Sequence, residues 1–496
     1  MQTVIPFIIF YFTFKILEMK HTYILSNQDT RFSGIGKKLL LTISALIFSI
    51  IAFSQNCNCE NNFIWLKNFF EKNDAGFQYA VNQKGIEAYE TLNEKTLSEV
   101  KNIQDKNECY HVLYNWLKFF RKGHFGVWAK DVFQNAGSNK IINIDTAEFV
   151  KYLNQKKEID YEGIWEYNFN HNLKIGIKKI DEKYFGFVIS ADSGKLKTGQ
   201  VLFFISTNNN NNSAVLYSNN KEIPINSVAL VENQYLLLEF ILLQRLQPES
   251  ITANPFFTQL NKSTNLLTIP SFDISCKKEI DSIIKVNFTT ITNTENLIID
   301  LRNNGGGTDG SYKQIIPLLY TNPIRNIGVK ILATKENALR YVEAANNANS
   351  GFSADNKKWF MDISIKLNEH LGEFVNINNS DVDTVKLDTI YSYPENVGII
   401  INKNNGSSAE QFLLAAKQSK KVKLFGTSTM GELDISNVWF ADSPCKDFRL
   451  AYSVTKSLRV PEMTVDNDGI QPDFYIDESI SNDKWIDFVE NILNSN

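Results

Sequence analysis

The stretch VGIIINKNNGSSAEQFLLAA, residues 397–416, indicates the fold class of this 496-residue chain. Its first part, VGIIIN, is a nearly continuous apolar run, which is typical of a strand buried on both faces of a sheet. After the polar loop KNNG, apolar residues recur at helical spacing, at Ala409, Phe412, Leu413 and Ala416. The pattern predicts a strand, a turn and a helix, which is the unit from which α/β proteins are built.

A second apolar run, NLIIDL at residues 296–301, has the same texture and leads into three consecutive glycines. Glycine adopts positive φ without steric cost and lets a backbone approach a ligand closely. Gly305 and Gly306 are therefore candidates to direct a backbone amide at a developing oxyanion. A flexible turn is the alternative, and a phosphate-binding loop is disfavoured because no G-K-[ST] motif follows the glycines.

Two interpretations of Ser407 remain open from the residues alone. Glu410 follows it by three positions, so the pair fits a capping box that only satisfies backbone groups at the start of the helix. A nucleophile would also sit at this turn, because the free amides and the positive end of the helix dipole favour developing negative charge. In that second interpretation the Ser408 amide is a further candidate oxyanion donor.

Length and composition bound the class of protein. The chain has 43% hydrophobic and 21% charged residues and a formal net charge of -4, which is typical of a globular protein and gives no electrostatic basis for nucleic-acid binding. The length predicts about two to four domains. We expect a targeting region at 1–54, a helical segment at 55–160, a β-rich middle domain at 161–262 and an α/β core at 263–496.

The spacing of apolar residues supports this division. In YHVLYNWLKFFRKG, residues 110–123, Val112, Trp116 and Phe119 share one face of a helix. From about Gly163, short β-branched and aromatic runs alternate with Asp, Gly and Lys, which predicts antiparallel strands. Between the two buried strands of the core, the stretches KENALRYVEAANN and KKWFMDISIKLNEHL predict an inserted helical segment.

The N-terminal region predicts export. Lys37 and Lys38 precede an apolar run from Leu39 to Phe53, and the small residues before Gln55 complete the pattern of a cleavable secretory signal. An uncleaved membrane anchor is the alternative, although the run is short for a membrane span. We therefore expect a periplasmic, cell-surface or secreted protein, with membrane contact only through an uncleaved segment.

The five cysteines include no C-x-x-C pair, which argues against a zinc site. Export permits disulfides, and we expect Cys109 to pair with either Cys57 or Cys59. No metal or organic cofactor is expected.

Together, NLIIDLRNNGGG, NGSSAEQF and LFGTSTMG resemble the catalytic core of the tail-specific (C-terminal processing) and tricorn-like serine peptidases, over roughly Leu266 to Asp477. The resemblance implies a ClpP/crotonase-type fold with Ser407 as nucleophile. Members that use a Ser-Lys dyad have a lysine directly after the glycine of the T-x-G turn, whereas this chain has Glu432 after Gly431. The resemblance therefore favours the Ser-His-Glu arrangement of the tricorn-like branch.

Both partners of that arrangement have counterparts in this sequence. His124, in RKGHFGVW, resembles the D-G-H turn of the tricorn-like branch, although a lone histidine is more often structural. Asp466, in VDNDGIQPDFYI, stands where the family has glutamate, and a carboxylate there would hold the tautomer of the imidazole. The alternative is that Asp466 is a turn residue.

The sequence thus predicts an exported serine endopeptidase that acts on peptides or proteins through Ser407, His124 and Asp466. The amides of Ser408, Gly306 and Gly305 are the expected oxyanion donors. The main alternative is a peptidase fold that has lost turnover and binds a peptide or apolar ligand, and a crotonase-like acyl enzyme is a further one. The oligomeric state is not readable from the sequence.

Overall fold

The protein is described here by a computed structural model. It describes residues 57–130, 132–134, 137–156, 160–167, 170–191, 196–207, 212–219, 221–231, 233, 235–246, 255–347, 353–378 and 380–495. The predicted signal, with its cleavage point before Gln55, lies outside the described residues. In the described part of the chain, no helix is both long and apolar enough to cross a membrane.

The described chain begins with four helices. They are α1 (Cys59–Asn73), α2 (Phe77–Lys84), α3 (Ile86–Val100) and α4 (Lys106–Leu117). The side chains of Asn58 and Asp105 accept hydrogen bonds from the first amides of α1 and α4, which is the usual role of an N-cap. The helices pack through aromatic rings, such as Phe70 against Trp116 and Phe120.

Two disulfides tie this helical segment together and to the rest of the protein. Cys59 is bonded to Cys109, which links α1 to α4 and confirms one of the two expected pairings. Cys57 is bonded to Cys445, a pairing that the sequence did not predict. Among the described cysteines, Cys276 is not in a disulfide.

A strand, a further helix and an antiparallel sheet follow. The elements are β1 (Gly126–Ala129), α5 (Thr146–Gln155), β2 (Gly163–Tyr167), β3 (Asn170–Ile180), β4 (Lys183–Ser190), β5 (Val201–Thr207), β6 (Asn212–Ser218), β7 (Lys221–Ile225), β8 (Val228–Val231), β9 (Tyr235–Leu238) and β10 (Ile241–Leu246). Strands β2 to β10 form one sheet in the order β7-β6-β5-β4-β3-β2-β10-β9-β8. Every neighbouring pair in it is antiparallel, as the alternating strand patterns predict.

The remaining elements build an α/β region. They are β11 (Phe256–Gln259), β12 (Thr264–Thr268), α6 (Ile274–Ile291), β13 (Asn296–Asp300), α7 (Ile316–Leu319), β14 (Ile324–Ile327), β15 (Val329–Leu332), α8 (Lys335–Asn346), α9 (Ala354–Glu369), β16 (Phe374–Asn376), β17 (Val382–Val385), β18 (Asn396–Ile401), α10 (Ser408–Ala416), β19 (Val422–Gly426), β20 (Ile435–Asp442), β21 (Phe448–Ser457), β22 (Phe474–Tyr475) and α11 (Trp485–Leu493).

The two predicted buried strands lie side by side at the centre of this region. The sheet has the order β11-β12-β13-β18-β19-β22, and β12 through β22 run parallel. Strand β13 is buried along its whole length, and β18 is buried from Val397 onward. Since the carboxyl ends of parallel strands meet at one edge of a sheet, the glycines after β13 and the serines after β18 lie close together.

A third sheet joins the helical segment to the α/β region. Strand β21 pairs with β20 along one edge and with β1 and β15 along the other, and β16 extends the sheet beyond β15. The strand β1 belongs to the segment 55–160, whereas the others belong to 263–496. The expected helical segment and the expected core therefore share a sheet, and His124, just before β1, is held beside the α/β region.

Candidate active site

Ser407 occupies a sharp turn between β18 and α10. Its backbone has φ 53° and ψ -123° and its side chain makes no capping hydrogen bond. A positive φ is costly for a residue with a Cβ, and a serine held at such a strand-to-helix turn exposes its hydroxyl above the sheet. The capping interpretation of Ser407 is therefore wrong, and the turn has the geometry of a nucleophile elbow.

Glu410 does not complete a capping box either. Its carboxylate accepts hydrogen bonds from the Thr429 hydroxyl at 2.5 Å, the Gly431 amide at 2.8 Å and the Glu432 amide at 2.9 Å. These bonds fix residues 429–432 instead of the start of α10. Burial raises the pKa of the Glu410 carboxyl, although the three donors act in the opposite direction.

The short segment Glu432–Ile435 holds both Ser407 and His124. The Ser407 amide donates to the Glu432 carbonyl at 3.0 Å. The His124 Nδ1 atom bonds to the Ile435 carbonyl at 2.8 Å. Because a carbonyl oxygen only accepts, Nδ1 carries the proton in this arrangement and Nε2 is left with a lone pair. The segment thus fixes the position of the serine backbone and the tautomer of the histidine.

His124 itself has φ 56°, and its strained turn is anchored by Arg121. The guanidinium donates to the Gly123 carbonyl at 2.9 Å and to the His124 carbonyl at 2.8 Å. It also forms a buried bidentate pair with Asp74, with both bonds at 2.7 Å. Asp74 directly follows α1, so the N-terminal helices fix the backbone that carries the histidine.

Burial lowers the pKa of His124 to about 4. The hydrogen bond to the Ile435 carbonyl opposes this shift, and the nearby Arg121 cation adds to it. The imidazole is therefore neutral at physiological pH, which is the form that a general base requires.

Asp466 does not contact the imidazole as expected for the acid of a triad. Its Oδ1 accepts from the amides of Leu433 and Asp434, both at 2.6 Å, and its Oδ2 accepts from the Ile435 amide at 3.1 Å. The Nδ1 of His124 bonds to the Ile435 carbonyl instead. Asp466 thus positions the segment that holds the histidine.

Two of the three predicted oxyanion donors, Gly305 and Gly306, do not line the cleft that contains Ser407. The Gly306 amide donates to Asn304 Oδ1 at 3.0 Å, so it is already used within the loop. Gly305 is exposed, and a Cβ added to it would meet no atom within 4 Å. The expectation for Gly305 and Gly306 as donors does not fit this geometry.

Gly307 takes the place expected for Gly306. The Gly306 carbonyl and the Thr308 amide both bond to Phe272, at 3.0 and 2.9 Å, in a parallel bridge. Successive backbone groups of an extended chain point to opposite sides, so the Gly307 amide points away from Phe272. Gly307 and Ser408 both line the cleft. Of the three glycines, the third therefore lies at the cleft.

Gly306 instead packs closely against Ser407. Its φ is 106°, and a Cβ at this position would lie 2.9 Å from the Cβ of Ser407 and 2.7 Å from the Gly406 carbonyl oxygen. Only glycine fits there. The glycine loop and the serine turn are therefore in direct contact.

The cleft that contains these groups has a volume of about 860 Å³. Its walls include His124, Ser407, Ser408 and Gly307, so the structure places the predicted serine and histidine in one cavity. In the residues that the structure describes, no cluster of His, Cys, Asp and Glu could hold a metal ion.

Glu432, which stands where a dyad lysine would be, lies against the histidine turn. A Cβ on Gly123 would be 2.0 Å from the Glu432 Cδ and 2.1 and 2.2 Å from its carboxyl oxygens. Burial raises the pKa of this carboxyl to about 7, and the neighbouring carboxyls of Glu410 and Asp466 add to the shift. The sequence identified the substitution at this position but not the contact with Gly123.

The part of the sequence that contains Ser407 matches a known protein family. Residues 263–476 match the model of peptidase family S41. That region belongs to peptidase family S41. By this family the chain is a serine-type peptidase, as the sequence predicted. Ser407 and Asp466 lie inside the S41 region, whereas His124 lies before it.

The chain is also similar to solved structures, at low identity. Mature CPAF shares 11% identity over 88% of this chain and 96% of its own, with a TM-score of 0.48. A putative peptidase from Parabacteroides merdae shares 12% over 88% and 97%, with a TM-score of 0.44. The photosystem II D1 C-terminal processing protease shares 14% over 88% and 98%, with a TM-score of 0.39. A comparison with curated protein sequences gave no match.

Proposed function

We propose that the protein is an exported serine endopeptidase with a ClpP/crotonase-type core, in which Ser407 is the nucleophile and His124 the general base. The observation that carries the proposal is the shared segment Glu432–Ile435. It holds the Ser407 amide at one end and the Nδ1 of His124 at the other, which leaves Nε2 as the basic nitrogen in the cleft.

In the proposed reaction, the Ser407 hydroxyl attacks the peptide carbonyl and its proton passes to Nε2 of His124. The amides of Ser408 and Gly307 then hold the oxyanion of the tetrahedral intermediate. The imidazolium returns the proton to the leaving amine, and water hydrolyses the acyl-enzyme by the same steps. The acid of the predicted triad acts indirectly here, because Asp466 fixes the Ile435 carbonyl to which the imidazole is bonded.

Export is proposed from two independent features. The apolar run before Gln55 has the pattern of a secretory signal. The two disulfides, Cys57–Cys445 and Cys59–Cys109, are of a kind that persists in oxidising compartments. N-terminal sequencing of exported protein should give a mature chain beginning near Gln55, and an intact start upstream of the apolar run would favour an anchor.

A serine-reactive fluorophosphonate probe tests the nucleophile directly. We expect one labelled residue, Ser407, in the native protein, with labelling lost in Ser407→Ala and in heat-denatured protein. Ser436→Ala is the matched control because Ser436 lines the same cleft, and it should label as the wild type does. Native protein that stays unlabelled would contradict the proposal and favour a protein that only binds peptides.

A further inference from the structure

One wall of the cleft is built from aromatic side chains. Tyr341 comes from α8, Trp359 and Phe360 come from α9, and Trp439 comes from β20. The Tyr341 ring centroid lies 6.1 Å from that of Phe360 and 5.5 Å from that of Trp439. The rings of Trp359 and Phe360 are 5.2 Å apart. We call these four residues the aromatic wall, and all of them line the cleft that contains Ser407 and His124.

The aromatic wall is partly open to solvent although it rests on a packed core. Tyr341 is buried in a cluster with Ile331, Ile363 and Leu367, and Phe360 packs against that cluster. Trp359 is 48% exposed. A large aromatic side chain gains more free energy from burial than most others, so an exposed tryptophan on a cleft wall gains most when a ligand covers it.

The rest of the cleft has few positive charges to attract an acidic ligand. Six aliphatic residues also line the cleft: Ile327, Val329, Ile331, Ile377, Leu433 and Val438. The cation of Arg459 is paired with Asp434 at 2.8 Å, and His124 is neutral because burial lowers its pKa to about 4. The carboxyls of Asp309 and Asp383 also line the cleft. A negatively charged side chain would meet apolar surface and like charges.

We propose that the aromatic wall selects peptide substrates with a bulky apolar side chain, aromatic above all, and that the cleft rejects acidic ones. The proposal rests on the proposed peptidase function, because it takes the occupant of the cleft to be a peptide. Aromatic rings at the separations seen here attract a further ring beyond simple area burial. An acidic side chain would lose its hydration without gaining a partner.

The test measures peptide binding to the Ser407→Ala protein, so that it does not depend on turnover. The probes are peptide mixtures with one position fixed as Phe, Ala or Glu and the other positions randomised, and affinity is measured by calorimetry. We expect the Phe mixture to bind at least about tenfold more tightly than the Ala mixture, which is the discrimination that an apolar pocket achieves for a larger side chain. The Glu mixture should bind most weakly.

Trp359→Ala, added to Ser407→Ala, should reduce the Phe-to-Ala ratio to below about threefold, because the exposed face of the wall is then lost. Phe360→Leu provides a second variant that keeps an apolar side chain in the underlying cluster. Met361→Ala is the matched control: this residue is 39% exposed on the same helix but does not line the cleft, and the ratio should not change.

The outcomes separate this inference from the proposed function. A Phe-to-Ala ratio near one, or a ratio that neither Trp359→Ala nor Phe360→Leu lowers, would overturn the role of the wall even if the wild type cleaves peptides. A preserved preference in a protein that does not cleave peptides would instead support the wall and reject the peptidase proposal.

Discussion

The Nδ1 atom of His124 donates to the main-chain carbonyl of Ile435 across 2.8 Å. A carbonyl fixes the tautomer of an imidazole as a carboxylate would, but it lacks the negative charge that stabilises an imidazolium. Burial and the Arg121 cation accordingly keep the pKa of this histidine near 4. The pH dependence of the enzyme should follow from this contact.

We expect kcat/KM to fall only as pH drops through about 4, because protonation of His124 removes the general base. Folding should weaken on the same side. The unfolded histidine has the higher pKa and binds protons first, so stability is lost as pH falls from about 6.5 towards 4. A pH–rate profile measured with saturating and limiting peptide checks the prediction, and an acidic limb near 6.5 would contradict it.

Ser407→Ala and His124→Ala should each lower kcat/KM for peptide hydrolysis by roughly three orders of magnitude or more. The double variant should be little worse than either, because the two groups act as one unit. Thermal unfolding should show that all three proteins remain folded. Independent, multiplicative losses would mean that the two residues do not share a proton transfer.

Asp466→Asn should destabilise the protein by about 1–3 kcal/mol, the range for leaving a buried donor unsatisfied. Asparagine keeps one acceptor oxygen, and its amide group would face a backbone N–H where Asp466 now accepts from three amides. Activity should fall as well, because the Ile435 carbonyl loses its support. Asp468→Asn is the control in the same loop, since that side chain is exposed. Wild-type melting and activity in Asp466→Asn would sink this role.

Glu432→Gln should keep most of the activity, within about a hundredfold, because a missing acid-base group costs at least that much. It should also stabilise the protein at alkaline pH. The folded-state pKa of about 7 lies above the usual value of 4.5, so the folded state binds the extra proton between these values and stability is lost as pH rises through that window. The difference in unfolding free energy should grow from pH 5 to pH 8, by at most about 3 kcal/mol. A constant difference would show that the carboxyl is not perturbed.

The sequence predicted the central sheet because its strands are apolar on both faces. NLIIDL and VGIIIN became β13 and β18, and their adjacent positions brought the glycine loop to the serine turn. The stretches KENALRYVEAANN and KKWFMDISIKLNEHL predicted the inserted helices, which are α8 and α9. Patterns of this kind report local burial, so they predict elements and neighbours within a sheet.

The apolar patterns could not predict which contacts single backbone atoms make. Nothing in the sequence distinguishes Gly306, whose amide bonds to Asn304, from Gly307, whose amide points the other way. Asp466 was expected beside His124 because its segment resembles the one that carries the acid of the family, but its carboxylate accepts from the amides of residues 433–435. The pairing of Cys57 with Cys445 accompanies the packing of α1 against β21, where Trp65 contacts Phe448, and no local pattern encodes that contact.

The Cys57–Cys445 bond spans 388 positions of sequence. A single cut in any exposed loop between these residues leaves two fragments that remain covalently attached. A peptidase that nicks itself, or is nicked by another, would therefore migrate as one intact band on a gel without reductant and divide only when thiol is added. Only a gel run under reducing conditions can therefore show that the chain is uncut.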